Sequence, residues 1–183
     1  GASGSLRLWV GTAGGSVVIL HMNADGTVKS HARIRPGSNG FDAPIKNWDM
    51  FGYALAALGD VDGDGFGDLA VGAVGDDDGA FQADECAAYV GAVWILFLGP
   101  DASVRAYTKL SETSEAANGM FAGMSQIGAV LAGLGDVDGD GIPDLLLGDP
   151  LSGTLDHGQG VVRVLLLERD GSIREQRKIP NPD

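Results

Sequence analysis

Two nine-residue stretches carry the chemistry of this chain: Asp60-Val-Asp-Gly-Asp-Gly-Phe-Gly-Asp68 and Asp136-Val-Asp-Gly-Asp-Gly-Ile-Pro-Asp144. Each places carboxylates at positions 1, 3, 5 and 9. Four carboxylates so close together repel one another, and gathering them is costly unless a cation sits between them. Hard oxygen donors on a pliant loop suit calcium, which takes 6–8 oxygens; magnesium, with its strict octahedron and retained waters, suits them less. Gly63, Gly65, Gly139 and Gly141 allow each loop to curl. At position 7, Phe66 and Ile142 would contribute backbone carbonyls. An EF-hand is excluded, because it needs a bidentate Glu at position 12, where Val71 and Leu147 stand here. Dockerin loops run into a helix, whereas Asp68-Leu-Ala-Val-Gly72 and Asp144-Leu-Leu-Leu-Gly148 read as strands. Long arrays of calcium loops need many more copies. Metal-free Asp-Gly hairpin turns would not require four acids in the same register twice.

The loops sit inside a longer repeat. Phe51 to Ala73 matches Ile127 to Asp149 at a constant offset of 76 positions. Downstream, Gly91-Ala-Val-Trp-Ile-Leu-Phe-Leu98 aligns with Gly160-Val-Val-Arg-Val-Leu-Leu-Leu167 and with Gly15-Ser-Val-Val-Ile-Leu-His-Met22. Turns follow at Asp25-Gly26, Asp101-Ala102 and Asp170-Gly171. More polar strands then run from Thr27 to Ile34, Ser103 to Leu110 and Ser172 to Ile179. Leu8-Trp-Val-Gly-Thr12 aligns with Leu69-Ala-Val-Gly-Ala73, so the first unit lacks a first strand and an acidic loop. The expectation is about eleven strands in three units. Four antiparallel strands per unit, repeated, mark a β-propeller blade. Met120 to Leu134 is rich in Ala and Leu, but its glycines argue for strand over helix. The reading is an all-β fold with about two and two-thirds blades: residues 1–5 a linker or cloning remnant, 6–50 a first blade with its connector, 51–119 a second, 120–183 a third.

Composition narrows the function classes. With 25 acidic against 12 basic residues, the net charge of −13 and a pI near 4.4 exclude a general nucleic-acid binder. Anionic membrane surfaces repel such a chain, and no apolar run approaches the 18 or so residues of a membrane-spanning helix, so direct membrane insertion is not expected. Glycine takes 30 of 183 positions, more than twice the usual ~7%, which favours tight turns over long helices. One cysteine, Cys86, excludes an internal disulfide framework.

Other candidates weigh less. Asp76-Asp-Asp78 with Asp84 and Glu85 offers a further cation site or a partner-binding tip, but reads better as a solvated acidic loop. Cys86 reads as an inert thiol rather than one pairing with another chain. His21, His31 and His157 are scattered, and Asp156-His157 near Ser152 lacks a Gly-x-Ser-x-Gly elbow, so catalysis is not expected there. Of Trp9, Trp48 and Trp94, Trp94 reads as core; Trp48, in the polar stretch from Pro36 to Asp49, is the better ligand-facing aromatic.

The repeated unit resembles the FG-GAP repeats of integrin alpha-subunit propellers. That family carries Phe-Gly near the first strand, a nine-residue Asp loop and Gly-Ala-Pro after the second strand. Here Phe51-Gly52 and a degenerate Ile127-Gly128 match the first element; Gly72-Ala73-Val74 and Gly148-Asp149-Pro150 match the last, with Gly11-Thr12-Ala13 in the first unit. The resemblance covers roughly residues 6–180. It implies two Ca2+ sites on loops joining strands one and two of a blade. The implied ligands are Asp60, Asp62, Asp64, the carbonyl of Phe66 and Asp68 in one, and Asp136, Asp138, Asp140, the carbonyl of Ile142 and Asp144 in the other. Integrin-type propellers close with seven blades, so this arc is expected either to be cut from a longer chain or to assemble in copies. A neighbouring chain supplying the absent first strand is one way to do so.

The functional expectation is a non-catalytic, calcium-stabilised module for adhesion or for binding a protein or glycan ligand, secreted or at the cell surface. A structural subunit that closes a propeller with other copies, or builds a filament or coat, is the second expectation. An accessory propeller segment of a larger hydrolase is the third.

Overall fold

The computed structural model describes residues 7–12, 15–77, 90–117, 121, 126–150 and 160–179. Among these residues, eleven strands form three antiparallel sheets, each in chain order. The first holds β1 (Arg7–Thr12), β2 (Ser16–Met22) and β3 (Val28–Ile34). The second holds β4 (Phe51–Gly59), β5 (Asp68–Ala73), β6 (Ala92–Leu98) and β7 (Val104–Leu110). The third holds β8 (Val130–Gly135), β9 (Asp144–Asp149), β10 (Val161–Leu167) and β11 (Ile173–Ile179). The only helical elements among the described residues are two single 3₁₀ turns, Asn47–Asp49 and Glu115–Ala117. The all-β partial propeller expected from the repeats is the observed fold.

Local chemistry repeats with the sequence. The hairpins β2–β3, β6–β7 and β10–β11 share one turn, with Gly26, Ala102 and Gly171 at φ of 84°, 63° and 76° and a bulge before the turn in each. Asp25, Asp101 and Asp170 each accept from the backbone amide and hydroxyl of the residue two positions on: Thr27, Ser103 and Ser172. This Asp-x-Ser/Thr clasp is an Asx-type turn that fixes the hairpin register. The Phe51-Gly52 and Ile127-Gly128 elements also share a backbone, with Met50 and Gln126 near φ 50° and the glycines at 95° and 88°. Ile127 therefore keeps the geometry although the phenylalanine is gone.

The core lies between sheets. Val17, Ile19 and Ile34 of the first sheet meet Phe51, Leu69, Val71, Trp94 and Leu96 of the second, with Phe41 from the connector stacked 5.0 Å from Phe51. Ala56, Leu58, Val93, Ile95 and Phe97 on the opposite face of the second sheet meet Ile142, Leu145, Leu147, Leu165 and Leu167 of the third. The strands β5 and β6 are buried throughout because neighbours cover both their faces. The rim strands β3, β7 and β11 are buried only at their ends and are otherwise exposed or half-buried, as strands at a sheet edge are.

Two glycine pairs, one at each junction, explain why the sheets stack so closely. A Cβ on Gly11 would stand 1.8 Å from the Gly52 carbonyl oxygen; one on Gly72 would stand 1.9 Å from that of Gly128. The Val-Gly of one blade thus receives the Phe/Ile-Gly of the next, backbone on backbone. The far face of the third sheet is only partly covered. Leu134 (36%) and Val137 (48%) are exposed where their repeat partners Leu58 (4%) and Val61 (0%) are buried. An open arc leaves this blade face exposed, because no further sheet packs on β8 among the described residues. At the other end β1 packs beside β4, and its free edge pairs with no strand among the described residues.

Candidate metal centres

Both acidic loops lie between the first and second strands of a four-stranded sheet, β4–β5 and β8–β9, as the repeat requires. They share one hydrogen-bond pattern. Asp60 accepts from Gly63 N (2.8 Å) through Oδ1 and from Gly65 N (2.9 Å) through Oδ2; Asp136 does the same with Gly139 N (2.7 Å) and Gly141 N (2.9 Å). The four glycines hold φ between 82° and 89°, which other residues adopt only with strain. Asp68 accepts from Val61 N and Leu98 N, and Asp144 from Val137 N and Leu167 N, so the ninth residue ties its loop to the third strand.

Positions 3 and 5 differ from positions 1 and 9. Asp62 and Asp64 spend Oδ1 on the amides of Asp64 and Phe66 and leave Oδ2 open to the loop mouth. Asp138 and Asp140 do likewise with the amides of Asp140 and Ile142. A guanidinium takes these open oxygens: Arg105 of β7 bridges Asp62 (3.3 Å) and Asp64, and Arg174 of β11 bridges Asp138 and Asp140 (2.6 Å).

Ligand oxygens of Asp60, Asp62 and Asp64 lie within 4.8 Å of one another, and so do those of Asp136, Asp138 and Asp144. Burial pushes the Asp68 carboxyl up to about 6, against its amide hydrogen bonds, with the Asp62 charge adding to the rise. Burial also raises Asp144, whereas the Gly141 amide leads the hydrogen bonds that lower Asp136. An all-oxygen, net-negative mouth, half-buried in the first loop and open to solvent in the second, that already draws in a guanidinium is the donor set of a hard-cation site. Phe66 is half-buried and Ile142 packs in the core, so each anchors the loop through its side chain.

The other candidates separate clearly. The reading of Asp76 as part of a solvated acidic loop is corrected: it is 4% exposed and paired with Lys109 at 2.7 Å, while Asp77 pairs with Lys46 at 2.8 Å. Burial pulled Asp76 in because Lys109 lies beside it over the Trp94 ring. Asp78, Asp84, Glu85, Cys86, Ser152, Asp156, His157 and the 1–5 segment lie outside the described residues. Trp94 is core at 3% exposure and Trp48 stands 79% exposed. His21 is half-buried on β2 and His31 exposed on β3.

Arg105 and Arg174 were not anticipated as site residues. A signal existed. The residue after the first position of each rim strand is a cation in all three units, namely Lys29, Arg105 and Arg174.

No family model matches the chain. Among curated proteins it is similar to integrin alpha-7 of Rattus norvegicus, 39% identical over 99 residues, or 54% of this chain and 7% of that protein. It is also similar to integrin alpha-PS2 of Drosophila melanogaster, 36% identical over 118 residues covering 63% of this chain and 8% of the relative. The alignment with integrin alpha-E of Homo sapiens extends to 82% of this chain at 29% identity, covering 12% of that protein. The chain therefore spans about a tenth of the length of the curated relatives it matches. The duplicated acidic loop, the Phe-Gly and Val-Gly contacts between sheets and these alignments are together consistent with FG-GAP repeats, and the chain is similar over about half its length to integrin alpha subunits.

Proposed function

We propose that the chain is a non-catalytic, calcium-binding propeller module that serves adhesion or protein interaction outside the cell. The observation that carries this reading is the shared hydrogen-bond pattern of the two acidic loops, each of which brings ligand oxygens of three carboxylates within 4.8 Å of one another. Asp60, Asp62, Asp64 and Asp68, with the Phe66 carbonyl, would hold one ion; Asp136, Asp138, Asp140 and Asp144, with the Ile142 carbonyl, would hold the other. Bound calcium would supply charge neutralisation and would rigidify the loop between the first and second strands of each blade. The role is structural: the loops themselves are already folded by amide-to-carboxylate bonds, and their acids need only a counter-charge. The extracellular setting follows from ion supply, since sites of extracellular modules work at about 10⁻⁴–10⁻³ M calcium. The integrin relatives support a protein ligand over a glycan. Such a ligand would meet the connector side of the arc, where Trp48 stands exposed.

The test is thermal unfolding and calorimetry in calcium and in chelator. At about 10 mM calcium the two sites together add about 3–5 kcal/mol, raising Tm by about 6–20 °C. No binding heat and an unchanged Tm would remove the calcium assignment.

The partly covered face of the third sheet supports a second reading, self-assembly. Leu134, Val137 and Ile179 are exposed together on it. Light scattering across a concentration series decides: a constant monomer mass counts against assembly.

A further inference from the structure

We propose that Arg105 and Arg174 are built-in counter-cations that hold the acidic loops closed when no ion is bound and compete with a divalent cation for the same carboxylate oxygens. The inference rests on the calcium reading above and gives its sites a regulation.

The argument is a count of acceptors. In each loop the carboxylates at positions 1 and 9 have both oxygens engaged by backbone amides. Those at positions 3 and 5 each have one oxygen engaged by a loop amide and one left open. Both open oxygens accept from one guanidinium, in both blades. The arginine thus takes the least committed negative charge in the loop, which is where an incoming cation gains most. A planar fork is suited to two carboxylates side by side; an ammonium is a single point charge. The arginines come from the rim strands, and their side chains are 46% and 36% exposed. They can therefore swing into solvent without opening the core. An ion entering either loop must displace a guanidinium or share its oxygens with one, and the added positive charge opposes it in both cases.

Two consequences follow. Metal-free blades keep their loops folded, since the acids are partly neutralised from within. Ion affinity is set lower than the four carboxylates alone would give, which matches a module that meets its ion only where calcium is abundant.

The experiment is calcium titration by calorimetry on the whole chain, with Arg105→Gln, Arg174→Gln and Arg105→Lys. Arg35→Gln, at the end of the sheets opposite the acidic loops, controls for net charge. Metal-free melts in chelator run alongside. Each Arg→Gln change is expected to tighten calcium binding at its own loop about tenfold and leave the other loop unchanged. It is also expected to lower Tm in chelator and not in saturating calcium. Arg105→Lys falls between, and Arg35→Gln does neither. Calcium binding by Arg→Gln variants where the wild type binds none also supports the inference. Wild-type binding with unchanged or weakened affinity in folded Arg→Gln variants overturns it and leaves the calcium reading standing. Absence of binding in wild type and variants alike overturns both.

Discussion

Replacing Gly72 by alanine tests whether the blades stack backbone on backbone. The new Cβ would lie 1.9 Å from the Gly128 oxygen, 2.8 Å from its carbonyl carbon and 3.0 Å from its Cα. An ordinary C···O contact needs about 3.3 Å, so β5 and the Gly128 turn must part by about 1.4 Å. Neither side can yield by a rotamer change, because both are main chain. The separation would open the core in which Val93 and Ile127 are at most 1% exposed. Overpacking costs about 1–3 kcal/mol where side chains can adjust; with backbone against backbone, about 3 kcal/mol or more is expected. For a chain of this size that lowers Tm by about 6–12 °C. The assay is urea unfolding followed by Trp94 fluorescence, with Gly67→Ala as control, because a Cβ at Gly67 meets nothing nearer than 4.0 Å. Gly67→Ala is expected to stay within about 1 kcal/mol of wild type. Calcium affinity of folded Gly72→Ala should match wild type, since each acidic loop is closed within its own sheet. A Gly72→Ala loss below about 1 kcal/mol would refute the stacking argument.

Other outcomes follow from the same geometry. Asp60→Ala removes the acceptor of two loop amides, costs about 1–3 kcal/mol in chelator and lowers calcium stoichiometry from two ions to one, read by calorimetry. Burial raises the Asp49 carboxyl above its ordinary value, against its bond from Lys46 N and aided by Asp76 and Asp77. The native state therefore holds that proton to higher pH than the unfolded chain. The Asp49 contribution to stability falls as pH climbs through the window just above 3.8, and Asp49→Asn should remove that contribution from the pH dependence measured by chemical denaturation. Trp48→Ala, at a side chain 79% exposed, should shift stability by no more than about 0.5 kcal/mol, so a loss of ligand binding in that variant reports contact and not unfolding.

Much of this protein was legible in its sequence because the determining interactions are short in range. The Asp loops, the Asp-x-Ser/Thr clasps and the turn glycines act within a few residues, so repetition at a fixed offset exposed three sheets and both acidic sites. The polar composition of the fourth strands likewise told rim from interior. What only the tertiary structure decided lies across blades or across the sheet. Arg105 reaches Asp64 from 41 positions away because a four-strand meander brings the start of the rim strand beside the first loop. Asp76 is acidic in sequence and buried in fact, because Lys109 on β7, itself seated over the Trp94 ring, pairs with it. The Gly72–Gly128 contact is invisible as a pair, since a glycine states only that no Cβ is tolerated, and packing alone states what would have struck it.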